Sequence, residues 1–143
     1  EQRYAGQKVV YDVTVGSEAA MRSVISRAML LAELNGSDPF DSKVVVVASG
    51  GLSHQLDGER AGFINKRFDL QFLDSLESDP EWATRFSIHD LVEQTGTQGV
   101  ELLMWLAMRG ALAATTPRVR RLHTNYHIPI SNTATAVMAL EPA

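Results

Sequence analysis

A histidine stands close behind two consecutive glycines at the end of an apolar run. Ser49, Gly50 and Gly51 follow the valines at positions 44–47, and His54 comes three residues later. Two glycines let the backbone turn tightly and approach a ligand, and open α/β folds place reactive groups beyond the carboxyl end of a buried strand. An imidazole there can accept and return a proton near neutral pH. The alternative is a loop histidine hydrogen-bonded to its neighbours.

Any metal ion bound by this chain must be held by His, Asp or Glu, because the sequence contains no cysteine. Of the other three histidines, His89 opens a predicted short helix and is interpreted as a capping or surface residue. His123 and His127 are four residues apart on a predicted strand, where they share a face without converging on one point. The histidines by themselves therefore do not predict a complete metal site.

The first half of the chain predicts three elements that could position the His54 loop. Lys8–Val15 alternates as a strand does, and a helix is predicted from Ser17, which can cap it, to about Leu34, with Gly36 to end it. Lys43–Ala48 contains four consecutive valines, which is typical of a strand buried on both faces of a sheet. This valine strand would carry the glycine loop at its end.

The second half predicts helices followed by terminal strands. Helices are expected at Phe68–Leu76, Ile88–Gln94 and Thr97–Leu112, and strands at Val119–Ile128 and Thr133–Leu140. The third helix should pack on the core through a face that contains Met104, Trp105 and Met108. Together the elements predict an α/β fold.

Composition excludes several classes of function. The chain has 143 residues, 45% hydrophobic, which suits one soluble domain over residues 1–143, and its formal net charge of −4 does not favour nucleic acid or anionic membranes as partners. The apolar runs are too short to span a bilayer, and the first residues do not have the layout of a signal peptide. We therefore expect a cytoplasmic protein.

The segment SGGLSHQLDGERAGFINK, residues 49–66, resembles the segment that carries the catalytic histidine in class III extradiol ring-cleaving dioxygenases of the protocatechuate 4,5-dioxygenase beta-subunit type, and in their relatives acting on gallate or methylgallate. The resemblance covers residues 43–141, whereas residues 1–42 match poorly. It continues through Phe68, Asp69, Phe72, Leu73, Leu76, Asp79 and Pro80, then Gly99–Leu102, Trp105, Arg109 and Gly110, and ends in Tyr126, His127, Pro129 and Ser131–Ala134. It implies the carboxy-terminal part of a catalytic subunit, with a central, mostly buried mixed sheet flanked by helices.

The resemblance also implies roles for individual residues. In this family Fe(II) is bound by two histidines and one glutamate, and open positions remain for a catechol and O₂. Glu101 matches the ligand glutamate and His54 the catalytic base. Apolar neighbours would leave the Glu101 carboxylate in need of a cation. Without the resemblance, Glu101 is interpreted as a solvated charge in the first turn of a helix. Ser131, Asn132 and Thr133 would bind the substrate carboxylate, or form a plain turn.

This sequence has no histidine at the positions of the family's two other iron ligands. The family's iron-binding histidines precede the glycine loop, and no histidine stands before Ser49 here. We therefore expect an amino-terminal half or a partner chain to supply them, in an enzyme that is an oligomer. A non-catalytic scaffold that binds a partner or an aromatic acid, and a relative that acts on a catechol with a longer acid side chain, stay open as alternatives.

Overall fold

The computed structural model describes residue 9 and residues 17–34, 45–113 and 116–143. Its contacts group the chain into two units, Glu1–Val45 and Val46–Ala143. The predicted strand Lys8–Val15 lies outside the described residues except for Val9. A single domain over residues 1–143 stays a prediction.

The described helix of the first unit is α1, Glu18–Leu34, which confirms the helix predicted there. Its start is set by Ser17, whose hydroxyl accepts a hydrogen bond from the Ala20 N–H at 3.3 Å. A stripe of side chains at helical spacing is partly buried, namely Ala20, Val24, Ala28 and Leu31. Ile25 of the same helix is exposed.

Three helices form the framework of the second unit. They are α2, Lys66–Ser78, α3, Ile88–Thr95, and α4, Leu102–Ala113. Asn65 caps α2 by accepting from the Phe68 N–H, and Ser87 caps α3 in a capping box with Asp90. The predicted helix at Thr97–Leu112 is divided, because Thr97–Glu101 forms a 3₁₀ helix that leads directly into α4.

The core of this unit is formed by the apolar face of α2. Phe72 is fully buried, and its ring contacts Trp105 of α4 edge-on with 6.5 Å between centroids. The glycine loop, α3 and α4 each add a buried leucine to this core, namely Leu52, Leu91 and Leu102. Of the helix face predicted for α4, Trp105 is buried and Met108 partly buried, but Met104 is 45% exposed, which contradicts its assignment to the core.

A two-stranded antiparallel sheet closes the unit. It consists of β1, Val119–His127, and β2, Thr135–Pro142, with an irregularity between Arg121 and His123. Arg121 fixes the sheet to α2, because its backbone N–H and guanidinium bond Glu77 and its guanidinium also pairs with Asp74. The two terminal strands are therefore confirmed, with ends shifted by one or two residues.

The valine strand predicted over Lys43–Ala48 is wrong for the residues that the structure describes. Residues 45–48 are not in a strand, and the side chains of Val45 and Val47 are 80% and 83% exposed. Consecutive valines favour a strand only where neighbouring strands bond the backbone and cover both faces. The described sheet contains only β1 and β2. The α/β class is thus supported, while the central mixed sheet is not found in the described part.

Within the described residues, no helix is both long enough and apolar enough to cross a membrane.

Candidate active site

The glycine loop packs directly against the start of α4. The Trp105 indole N–H donates a hydrogen bond to the Gly50 carbonyl at 3.0 Å. A Cβ atom at Gly50 would lie 2.8 Å from the carbonyl oxygen of Glu101. Because so short a contact excludes any side chain, glycine lets the loop approach the residue predicted to be an iron ligand.

Glu101 bonds to the backbone of the same loop. One of its carboxylate oxygens, Oε2, accepts a hydrogen bond from the Gly51 N–H at 2.6 Å. The residue ends the 3₁₀ helix and is exposed. The predicted desolvation of this carboxylate by apolar neighbours is therefore wrong, because Glu101 is exposed and its carboxylate bonds to the loop backbone.

His54 is 5% exposed and held by two backbone carbonyls. Its backbone N–H donates to the Thr95 carbonyl, and its ring Nδ1 lies 2.8 Å from the Leu52 carbonyl oxygen. A carbonyl oxygen can only accept, so in the neutral ring Nδ1 carries the proton and Nε2 carries the lone pair. The geometry therefore leaves Nε2 as the atom that can take up a proton.

The predicted base, His54, and the predicted iron ligand, Glu101, both lie beside Gly51. A Cβ atom built on Gly51 would lie 2.6 Å from Cε1 of the His54 ring and 3.4 Å from Oε2 of Glu101. Since both distances start from one point, the imidazole and the carboxylate lie close to each other. His54 and Glu101 are far apart in the sequence but are neighbours in the structure.

The turn predicted to bind a carboxylate is joined to the histidine loop through the backbone. Thr133 pairs with His54 in an isolated antiparallel bridge, and Leu52 and Ala134 are linked by a hydrogen bond of 2.9 Å. Ser131 and Asn132 are exposed, and Asn132 has a positive φ of 54°, a conformation that asparagine tolerates. The turn therefore borders the site through Thr133.

A second loop lies beside this turn. The segment Gln55–Gly62 is closed by a hydrogen bond from the Gly62 N–H to Gln55 O at 2.8 Å. Arg60 of this loop donates to the carbonyl of Glu93 at 3.0 Å and stacks over the Phe63 ring. Arg60 therefore fixes this loop to α3.

A buried polar network that the sequence reasoning missed lies directly behind the histidine. The Asp69 carboxylate, fully buried on α2, accepts from the Ser53 N–H at 2.9 Å, from the Ser53 hydroxyl at 2.6 Å and from the Tyr126 hydroxyl at 2.9 Å. The Ser53 oxygen in turn accepts from the Asn65 N–H. The available signal was an acidic residue placed between Phe68 and Phe72 on the apolar face of a helix.

Burial and the network shift two pKa values in this region. Burial raises the pKa of Asp69 above its ordinary value, although hydrogen bonds from Ser53 and Tyr126 and the nearby His54 act to lower it. Burial, together with the hydrogen bond to Asp69 and its charge, raises the pKa of the Tyr126 phenol. Tyr126 therefore stays protonated and remains a hydrogen-bond donor to Asp69.

The residues present offer one ligand of the type that Fe(II) takes in a facial triad. The Glu101 carboxylate is such an oxygen donor, and its exposure leaves it accessible. The other histidines, His89, His123 and His127, are exposed, and the last two lie on β1 as predicted. In the described part of the chain, no three His, Asp or Glu side chains are grouped so that they could hold a metal ion.

Comparisons with known proteins identify the family to which this chain is similar. Residues 31–138 match the family LigB, described as the catalytic LigB subunit of aromatic ring-opening dioxygenase. The chain is also 45% identical over 105 residues to the gallate dioxygenase of Pseudomonas putida, and the aligned part covers 73% of this chain and 30% of that protein. The chain thus spans less than a third of the curated relative's length.

The family match extends further upstream than the resemblance found by reading the sequence, which began at residue 43. It includes the glycine loop, His54, Glu101 and the turn at residues 131–133. The predicted relationship to class III extradiol ring-cleaving dioxygenases is confirmed. The chain belongs to the LigB family of catalytic subunits of aromatic ring-opening dioxygenases.

Proposed function

We propose that this chain is part of an Fe(II)-dependent extradiol dioxygenase that opens the ring of a catechol-type aromatic acid, such as gallate or protocatechuate, with O₂. It would supply the catalytic base, His54, and one iron ligand, Glu101. The supporting observation is that the side chains of His54 and Glu101 both lie close to Gly51. Family membership and a relative named gallate dioxygenase support the same reaction class.

His54 would act through Nε2. With its proton on Nδ1 donated to Leu52 O, the neutral ring presents a lone pair at Nε2. That lone pair takes the proton of a catechol hydroxyl, whose oxygen keeps the electron pair, and the same nitrogen returns the proton later in the cycle. The hydrogen bond from the backbone N–H of His54 to the Thr95 carbonyl keeps the residue in place during both proton transfers.

Glu101 would hold the iron together with two imidazoles supplied by an amino-terminal half or a partner chain. Ferrous iron, when bound, gives the catechol oxygens and dioxygen a common centre. The Gly51 N–H, which already bonds Oε2, orients the carboxylate and leaves its other oxygen available as a ligand. We expect the whole enzyme, including the part that supplies the two imidazoles, to have the predicted central mixed sheet, oligomeric assembly and cytoplasmic location.

The turn at residues 131–133 would hold the substrate's acid group. The hydroxyls of Ser131 and Thr133 and the Asn132 amide can donate to a carboxylate. The backbone bridge between Thr133 and His54 keeps this turn at a fixed distance from the base. The choice among gallate, protocatechuate and a catechol with a longer acid chain would depend on this distance.

The natural protein that contains this chain provides the test of His54. We expect His54→Gln to reduce oxygen uptake with gallate or protocatechuate by about 10²- to 10⁴-fold, the usual contribution of a general base. The matched control is His89→Gln, which alters an exposed histidine of α3 and should leave uptake unchanged. Equal turnover in wild type and His54→Gln would remove His54 as the base.

The alternative is a non-catalytic scaffold that binds a partner chain or an aromatic acid. It is favoured by the single metal ligand that the described residues bring to the site. Anaerobic loading with Fe(II) separates the two functions: stoichiometric iron that depends on Glu101 supports the enzyme, and no bound iron in the natural assembly supports the scaffold.

A further inference from the structure

The buried carboxylate of Asp69 has no place in the proton transfer described above, yet it lies immediately behind the base. It is fully buried and receives three hydrogen bonds, two of them from Ser53, the residue before His54. A buried carboxylate is costly to keep unless its donors compensate for the lost water. A core position between Phe68 and Phe72 would otherwise favour an apolar side chain.

The two bonds to Ser53 fix the backbone that carries the histidine. The Ser53 N–H bonds to Oδ1 and its hydroxyl to Oδ2, so the carboxylate grips one residue at two points. The same hydroxyl oxygen accepts from Asn65, the N-cap of α2. Rotation of the peptide between Leu52 and Ser53 would break the bond from the Ser53 N–H, so the backbone that leads into His54 is coupled to the start of α2.

Tyr126 connects this grip to the sheet. Its hydroxyl donates to Oδ2 of Asp69 from β1. The turn that follows β1 contains Thr133, which pairs with His54. Asp69 thus lies where the helix, the sheet and the histidine loop meet.

We propose that Asp69, held by Tyr126, is a positioning residue that sets the direction of the His54 imidazole through its two bonds to Ser53. This inference rests on the proposed function, because it assigns Asp69 a role in the action of the same base. Asp69 acts through Ser53 and touches neither substrate nor metal. Its loss should therefore impair proton transfer more than substrate binding or iron binding.

The test compares kcat, KM and iron content in the natural protein for Asp69→Asn, Ser53→Ala and Tyr126→Phe. We expect kcat to fall by about 10- to 100-fold in the first two, as for other residues that orient an active group, with KM and iron content within about twofold of wild type. Tyr126→Phe should lose less, because both bonds between Asp69 and Ser53 remain. Ser53→Ala provides the answer if Asp69→Asn does not fold.

Two controls separate positioning from general stability. Phe72→Leu weakens the core on the same face of α2 without touching Ser53, and Asp74→Asn removes an exposed acid of α2. The ¹⁵N chemical shifts of the His54 ring should indicate Nδ1–H in wild type and both controls, and a mixture of tautomers in Ser53→Ala. A Ser53→Ala protein with the wild-type kcat, or with no greater loss than Phe72→Leu at equal thermal stability, would overturn the inference.

The outcome is distinguishable from failure of the proposed function. If His54→Gln keeps full turnover, the function fails whatever Asp69 does. If His54→Gln loses turnover while Asp69→Asn and Ser53→Ala retain it, only the positioning role is refuted.

Discussion

Burial and hydrogen bonding act in opposite directions on the Asp69 carboxylate. Burial penalises its charge, whereas donors from Ser53 and Tyr126 stabilise the charge. The net shift raises the pKa of Asp69 above the ordinary value of 3.8 because burial is the larger cause. The balance at this residue can be measured through the pH dependence of folding.

A raised pKa in the folded state makes a testable prediction about stability. Below the pKa of the unfolded chain Asp69 is protonated in both states, so its contribution to folding is fully present. As the pH rises through the folded pKa, the unfolded state ionises first and this contribution is lost. The stability of wild type relative to Asp69→Asn should therefore fall as the pH rises from about 3 towards 7.

Thermal unfolding midpoints of the two proteins over this pH range provide the measurement. The difference between them isolates Asp69 from the other titrating groups. If the midpoint of wild type minus that of Asp69→Asn increases with pH, the hydrogen bonds outweigh burial and the pKa of Asp69 is lowered.

At this scale, local patterns and long-range contacts differed in how well they could be predicted. His54 was found because two glycines after an apolar run are a local pattern, and Glu101 because the resemblance supplied its role. Asp69 and Ser53 meet across 16 positions of the chain, and Asp69 meets Tyr126 across 57. No local pattern predicts such contacts.

At the scale of elements, close backbone contacts hold the histidine loop between α3 and α4. Gly96 ends α3 with φ +85°, and a Cβ there would lie 2.3 Å from the carbonyl oxygen of His54. Gly110 is different, because it lies within α4 and a Cβ would meet no atom within 4 Å. The two glycines form a natural pair for comparison.

Gly96→Ala should destabilise the natural protein by about 2 kcal/mol or more, since alanine is strained at positive φ and collides with backbone that cannot move aside. Gly110→Ala should stabilise it by about 0.5–1 kcal/mol, because alanine has the higher helix propensity. Chemical denaturation of both variants measures these changes. Equal stability of the two variants would show that the contact between Gly96 and His54 is not tight.

The helices could be predicted because their apolar spacing and their caps at Ser17 and Ser87 are local signals. The valine run at residues 45–47 could not be placed in the same way. Its prediction as a buried strand assumed neighbouring strands, and the described sheet provides only β1 and β2. Sheet position depends on partners distant in sequence, which a run of valines does not identify.

At the scale of the whole molecule, the chain brings together the proposed base, His54, and the proposed iron ligand, Glu101. It spans 30% of the length of the gallate dioxygenase to which it is similar. The resemblance implies that the two missing imidazoles precede the glycine loop, in an amino-terminal half or a partner chain. The central claim is that Glu101 and His54 divide the work, one holding iron and the other moving the proton.

Anaerobic iron titration of the natural protein, followed by oxygen uptake with gallate, tests this division most directly. Glu101→Ala should lose stoichiometric iron, whereas His54→Gln should bind iron as wild type does but consume little oxygen, and Glu81→Ala, an exposed acid outside the site, should match wild type in both. Wild-type iron affinity in Glu101→Ala would contradict the account.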